Sequence, residues 1–241
     1  VVSLLVSDIP GDHPQYIASG PTVADAGSRS DAQRIIEQYG MQLPAAAIAH
    51  LETADADAPL PDHPAFANCS HHIIASAGKS LEAAAELASH QGVNAAILSD
   101  SIEGESREAA RTIGALAREI RHRDRPFKAP VVLLSGGETT VTIKGGGKGG
   151  PNTEFLLSLA MEIDGEGGIH ALSADTDGID GSEDNAGAFA NGETIANIRD
   201  KGADAVALLD DNNAWQAFRL IDGLFVPGPT GTNVNDFRAV L

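Results

Sequence analysis

The chain has 241 residues, 42% of them hydrophobic, and a formal net charge of −18. This composition fits a globular protein with a full core rather than a disordered one, and the charge argues against nucleic acid or an anionic membrane surface as a partner. No apolar run approaches the roughly 20 residues of a membrane-spanning helix. Cys69, the single cysteine, rules out a disulfide within the chain and makes a reducing cytoplasm the expected location.

Residues 1–7, VVSLLVS, read as a strand from their apolar and β-branched run. A buried strand at a raw terminus, with no lead-in, is expected of the C-terminal part of something longer. The turn SDIPGD follows, carrying Asp8 and Asp12, and then IASGPT at 17–22. Residues 30–39 have a capping serine, apolar Ile35 and Ile36 and a stop at Gly40, so they predict a helix. Residues 53–68, rich in Ala, Asp and Pro, predict a surface connection.

From His71 a βα rhythm sets in. Strands are predicted over 72–76 and 94–99. Helices are predicted over 80–91, with Ser80 as cap and Gly92 as stop, and over 105–123, where Ile113, Leu116, Ala117 and Ile120 keep helical spacing. Arg118, Arg121, His122 and Arg123 fall in the last turns of the second helix, where its dipole favours them. Such alternation predicts a largely parallel sheet covered on both faces.

Beyond Pro126 the pattern changes. Residues 131–134 predict a buried strand ending in Ser135-Gly136-Gly137-Glu138, and 139–144, TTVTIK, alternate as a half-exposed antiparallel strand does. Residues 145–150 are glycine and lysine only. Residues 152–163 predict a helix with Phe155, Leu156, Leu159 and Ile163 on one face. The run 169–174 is a strand that breaks off into Asp175, Thr176, Asp177, Gly178, Ile179 and Asp180. Helices over 193–201 and 212–221 and a strand over 224–226 follow, and the chain then enters PGPTGTNVNDF. The domains expected are 1–126 and 127–241.

Three strand ends, at Ser7-Asp8, at Ser135–Glu138 and at Asp175, carry Gly, Ser and carboxylates. In open α/β sheets ligands sit at such ends. Three carboxylates within six residues, Asp175, Asp177 and Asp180, repel one another unless a cation or a ligand's donors hold them together. No Lys or Arg occurs between 149 and 198, so an anionic substrate would need a metal or local cations there.

Ser76-Ala77-Gly78-Lys79-Ser80 ends like a phosphate-binding loop but has Ile73 where that loop needs its first glycine. Gly145–Gly150 fits G-x-G-x-x-G, yet an alternating strand rather than a buried parallel one precedes it, which speaks against a dinucleotide site. What remains is a loop of exposed amides with Lys144 and Lys148 before a helix N-terminus, a candidate anion or phosphate cradle. Thr230, Thr232, Asn233, Asn235 and Asp236 offer hydroxyls and amides suited to hydroxyl or carboxylate recognition, or to satisfying their own loop. His71 and His72 are adjacent and point to opposite faces of a strand, and no G-x-S-x-G elbow occurs.

Together the strings SDIPGD, IASGPT, LLSGGETTV, GGPNTEFLL, ADTDGIDGSEDNAG and GPTGTNVNDF resemble the glycerate kinase family whose C-terminal half is called the MOFRL domain, members of which were often labelled hydroxypyruvate reductases. The resemblance runs over nearly the whole chain in the family's order. It implies a partial Rossmann-like parallel α/β domain plus a smaller mixed-sheet α/β domain, with the active site in the cleft between them. It also implies a longer N-terminal part carrying a lysine thought to be catalytic, and an Arg where this chain has Pro151, a position suited to clamping phosphate or carboxylate.

The activity implied is ATP-dependent phosphorylation of glycerate, with ATP and Mg²⁺ as cofactors. The expected partners are a small-molecule sugar acid and a nucleotide, and a homodimer is compatible with the family. The alternatives are an NAD(P)H-dependent hydroxypyruvate reductase and a truncated, non-catalytic ligand-binding fragment. The expected site has Asp177 and Lys148 as catalytic groups and Asp175, Asp177 and Asp180 on the metal. Ser135, Gly136, Gly137, Glu138, Gly147, Gly149, Asn152, Glu154, Thr230, Thr232 and Asn233 are expected on substrate or phosphate.

Overall fold

The computed structural model describes residues 1–53 and 56–241; residues 54 and 55, in the expected surface connection, lie outside the described residues. The chain forms two compact units, one of residues 1–5 and 12–74 and the other of residues 6–11 and 75–241.

In the first unit, strand β1 (Val2–Val6) is followed by helices α1 (Arg29–Tyr39) and α2 (Ala45–Leu51) and by strand β2 (Ser70–Ala75), which pairs with β1. A capping box starts α1: Ser28 Oγ accepts from the Asp31 amide while the Asp31 carboxylate accepts from the Ser28 amide. Gly40, in the left-handed region at φ 57, ends it.

The second unit begins its regular structure with α3 (Ala77–His90) and β3 (Asn94–Ser99). The cap of α3 is Ser76, whose Oγ accepts from the Lys79 amide, so the helix starts three residues before the expected Ser80. The short β4 (Gly104–Glu105), α4 (Ser106–Arg123), β5 (Val131–Gly137) and β6 (Thr139–Thr140) come next. The antiparallel strand expected over 139–144 shrinks to β6, which pairs parallel with β4. Then follow α5 (Pro151–Glu162), β7 (His170–Asp175), β8 (Gly187–Asn191), α6 (Thr194–Asp200), α7 (Ala205–Asp210), α8 (Ala214–Leu220), β9 (Leu224–Phe225) and β10 (Asp236–Val240).

The main sheet has the order β3-β5-β10-β7-β8-β9. Only β3 and β5 run parallel; β10 pairs antiparallel with both β5 and β7, and β7-β8-β9 continue antiparallel. The last strand in sequence is thus central in space. Residue 126 lies between α4 and β5, which both belong to the second unit.

Helices α4 and α5 cover one face of this sheet, while α3 covers the other only over β3, β5 and β10, and Phe189 of β8 stays half exposed on that second face, so the two-sided cover expected of the βα pattern is partial. A Cβ on Gly136 would point at Ala77 and Leu81 of α3, whereas Val131 and Leu133, on the opposite face by strand alternation, join the core of α4 and α5. Helix α5 is enclosed on all sides: Phe155, Leu156, Leu157, Leu159 and Ala160 are all fully buried, not only the expected stripe. Full burial of side chains this size contributes about 1.5–3 kcal/mol each for the larger ones. Gly114 of α4 permits the close helix contact, since a Cβ there would lie 2.7 Å from Glu162 Cβ. The same enclosure puts the N-terminus of α5 inside the protein, where its free amides need partners.

Candidate active site

Strand β7 ends at Asp175, and the register sets Asp175 opposite Asp236 of β10, which in turn lies opposite Gly137 of β5. Three strand ends therefore meet at one edge of the sheet, as expected for Ser135–Gly137 and Asp175. The Ser7-Asp8 turn joins them through a 2.7 Å hydrogen bond from Asn235 Nδ2 to the Asp8 carbonyl. Ser135, Gly136 and Gly137 are buried inside β5, so they line the edge with backbone, while Glu138 is exposed.

Beyond Asp175 the chain turns on its own carboxylates. The Asp177 amide donates to Asp175 Oδ1 at 2.9 Å, and Asp177 Oδ1 accepts from the Ile179 amide at 2.7 Å. Burial pushes the Asp175 carboxyl up to about 7, and the nearby charges of Asp177 and Asp236 add to the effect. A half-buried carboxylate beside a second one is a site poised for a cation or a proton.

The loop before β10 zips onto this turn. The Thr230 amide donates to the Asp177 carbonyl and Thr230 Oγ1 to the Thr176 carbonyl. Thr176 Oγ1 donates to the Asn235 carbonyl and accepts from the Val234 amide, each at 2.8 Å. Thr230 and Thr232 stand exposed beside Asp177 or next to residues that contact it. Asn233 Oδ1 accepts from the Asn235 amide, which leaves its NH₂ group as the outward donor. Gly178, at φ +99, allows the approach: a Cβ there would sit 2.2 Å from the Gly228 carbonyl oxygen. Gly178→Ala is expected to part the two loops and to cost about 1–3 kcal/mol, read by chemical denaturation; unchanged stability would mean that the loops do not depend on this contact.

Asp180 does not join the other two carboxylates. It is 1% exposed and caps α5, with Oδ1 accepting from the Asn152 amide at 2.9 Å and Oδ2 from the Thr153 amide and Thr153 Oγ1 at 2.8 and 2.7 Å. Burial raises its carboxyl to about 6 in spite of those donors. Among the described residues no group of three or more His, Cys, Asp or Glu side chains could hold a metal ion. The expected three-carboxylate metal set is therefore not assembled, because the buried helix end holds Asp180.

The expected phosphate cradle is also occupied. The amides of Lys144 and Gly145 donate to Asn212 Oδ1, that of Gly146 to Asp211 Oδ1, that of Gly147 to the Asp211 carbonyl and that of Lys148 to Asn213 Oδ1. The Gly150 amide goes to Thr153 Oγ1. Gly147 and Gly149 serve this docking, since a Cβ would meet Asn213 at 2.4 Å and Thr153 Oγ1 at 2.9 Å respectively. Lys148 keeps an exposed ammonium, 3.0 Å from Glu183 Oε1 and 5.4 Å from the centre of the Trp215 ring. Glu154, expected on substrate, is 2% exposed and held by Arg107 at 2.8 Å and by Asn212 Nδ2 at 3.0 Å. It is a structural ion pair.

Asn152 is fully buried, with Nδ2 donating to Asp236 Oδ1 at 2.6 Å and Oδ1 accepting from Ser173 Oγ at 2.5 Å. Asp236 in turn pairs with Arg238, a fully buried arginine. Sequence reasoning missed Arg238, Ser173, Thr139 and Ser106 and saw Asp236 only as part of a polar loop. The available signal was the Asp-x-Arg spacing, which on a strand puts both charges on one face.

Residues 131–236 match the model of the MOFRL family, and residues 1–52 match a domain of unknown function, DUF4147. A protein of Agrobacterium vitis named "Putative hydroxypyruvate reductase" is 45% identical over the whole chain, which covers 55% of that relative. The D-glycerate 2-kinase of Thermotoga maritima is 38% identical over 98% of the chain, 55% of its own length. The crystal structure of glycerate kinase from that organism superposes with a TM-score of 0.91 at 37% identity, over 100% of this chain and 56% of that one. The glycerate kinase of Macaca fascicularis is 32% identical over 98% of the chain, which covers 70% of it.

The chain belongs to the glycerate kinase family. It spans 55% of the length of the Agrobacterium and Thermotoga relatives. As the resemblance to glycerate kinases implied, the fold is mixed α/β and agrees with the solved structure. Pro151, where the resemblance led to an Arg, is the first residue of α5, a position at which proline costs no helix hydrogen bond. No helix is long and apolar enough to cross a membrane among the described residues.

Proposed function

We propose that this chain supplies the acidic part of a kinase site that transfers the γ-phosphoryl group of ATP to the 2-hydroxyl of glycerate. The observation that carries the reading is the Asp175–Asp177 pair, held where the β7 turn meets the threonine-bearing loop before β10. Phosphoryl transfer demands positioning and charge neutralisation more than covalent chemistry. Asp177 takes the proton of the attacking hydroxyl, and the oxygen so released forms the bond to phosphorus as ADP leaves. Thr232 and the NH₂ of Asn233 hold the hydroxyls and carboxylate of the sugar acid, while Thr230, whose hydroxyl proton goes to the Thr176 carbonyl, can only accept from a substrate hydroxyl. Lys148 faces phosphate with its side chain, since the amides of residues 144–148 and of Gly150 are already taken up within the protein.

Asp175 and Asp177 suit Mg²⁺, which kinases bind through one or two carboxylates with water and phosphate oxygens in the remaining positions. The ion would neutralise charge on the transferring phosphate. Asp180 takes no part in holding it. The MOFRL match opens at 131, close to the expected boundary at 126, but β3 pairs with β5 across that point and one compact unit spans it; the single cysteine supports a cytoplasmic setting.

The test is a paired assay on the full-length protein. ATP consumption with glycerate, without NAD(P)H oxidation by hydroxypyruvate, is the expected outcome. Oxidation of NAD(P)H alone would replace the kinase by the reductase, and neither reaction would leave a ligand-binding chain.

A further inference from the structure

Beneath the acidic turn lies a polar network sealed from solvent. Asp236, Arg238, Asn152, Ser173, Thr139 and Ser106 are each at most 4% exposed. Asp236 and Arg238 stand opposite Asp175 and Ser173 in the β10–β7 register, so all four side chains share the face covered by α5. The Arg238 guanidinium lies 5.1 Å from the centre of the Phe155 ring of that helix.

The hydrogen-bond directions in this network are fixed by chemistry. Ser106 Oγ donates its one proton to the Pro151 carbonyl at 2.6 Å, so Thr139 Oγ1, 2.8 Å away, donates to Ser106. Arg238 Nη2 donates to Thr139 Oγ1 at 2.9 Å and to Asp236. Asp236 also accepts from Asn152 Nδ2, whose amide oxygen is turned to the Ser173 hydroxyl. Arg238 thus reaches two successive residues of the first turn of α5, Pro151 through two hydroxyls and Asn152 through one carboxylate. The same turn is gripped from the other side by Asp180, three residues beyond Asp177.

Stability alone accounts poorly for this arrangement. Nε and Nη1 of Arg238 are buried and without a hydrogen-bond partner among the described residues. Buried ion pairs can often be replaced by apolar side chains with no loss of stability, and unpartnered buried donors are costly.

We propose that Arg238 is a positioning residue of the acidic site: acting through Asp236 and Asn152, it fixes the first turn of α5 and thereby the Asp175–Asp180 turn. Where that turn serves catalysis, the inference rests on the kinase reading. The geometric part does not.

The test uses Arg238→Met, Arg238→Lys and Ser173→Ala in the full-length protein, with two readouts. The first is amide hydrogen exchange, which should accelerate about tenfold or more at residues 152–153 and 175–181 in Arg238→Met while β8 stays as in wild type. The second is steady-state kinetics, in which kcat falls about 100-fold with KM for glycerate within about twofold, as misplacement of a catalytic group predicts. Arg238→Lys, which retains the charge, should restore part of both. Ser173→Ala removes one hydroxyl and leaves the ion pair, so it carries the test if Arg238→Met does not fold; faster exchange at the same two segments is again expected. Unchanged exchange there, or a kcat loss that merely tracks the unfolded fraction, overturns the proposal. If the wild type does not phosphorylate glycerate, the kinase reading fails while the exchange measurement still decides the positioning role.

Discussion

Asp177→Asn in the full-length protein is expected to lower kcat for ATP-dependent glycerate phosphorylation by about 10³-fold, within the range that general bases contribute. Asparagine keeps the side-chain oxygen that Ile179 needs for its turn, and Asp177 lies outside the buried core. The thermal midpoint should therefore stay near that of wild type. Loss of turnover in a folded protein is the signature sought. Wild-type turnover in the variant would end the assignment of Asp177 as base, and a fall in kcat matched by unfolding would assign it to the fold.

Asp180→Ala should show the reverse balance. Its carboxylate receives three hydrogen bonds at the buried start of α5, and removal leaves two amides and a hydroxyl without it. Loss of a helix cap and unsatisfied buried donors together should cost about 3–5 kcal/mol. For a chain of this size that corresponds to a midpoint lowered by about 10 °C, measured by calorimetry. Burial raises the carboxyl's pKa, so part of the charge's benefit is already offset by desolvation, and Asp180→Asn should fall between wild type and alanine. If Asp180→Ala left stability unchanged and instead abolished Mg²⁺ binding, Asp180 would return to the metal set from which the helix cap removes it.

These two carboxylates, three residues apart, show how far the sequence could be read. Composition marks the acidic turn as a unit, and strand patterning puts it at the end of β7. It cannot separate Asp177 from Asp180, because the difference lies in a helix end that comes from 28 residues earlier in the chain. The glycine tract departs from its expected role for the same reason. Its flexibility was legible, but the side chains of Asp211, Asn212 and Asn213 that take up its amides lie more than 60 residues away.

Elements with a strong local period are legible in the sequence: β3 falls on the expected residues 94–99, and α4 begins one residue from its expected start. Strand β10 is hidden in the sequence, since Asp236 and Arg238 interrupt its apolar face and the preceding residues favour a loop. Those same two charges, set against Asp175 and Ser173, form the buried network under the turn. Strand β8, GAFAN, is too short and too small in its side chains to stand out before β7 and β9 flank it. The family strings located the acidic turn and the threonine loop as separate motifs. Only the fold brings Thr230 against Asp177.

The most direct measurement is ³¹P NMR of the full-length protein incubated with MgATP and glycerate, alongside its Asp177→Asn variant. A kinase site with Asp177 as its base predicts growth of a 2-phosphoglycerate resonance with loss of ATP in the wild type, and almost none in the variant. Absence of any phosphoglycerate in the wild type, or equal growth in both proteins, would contradict it.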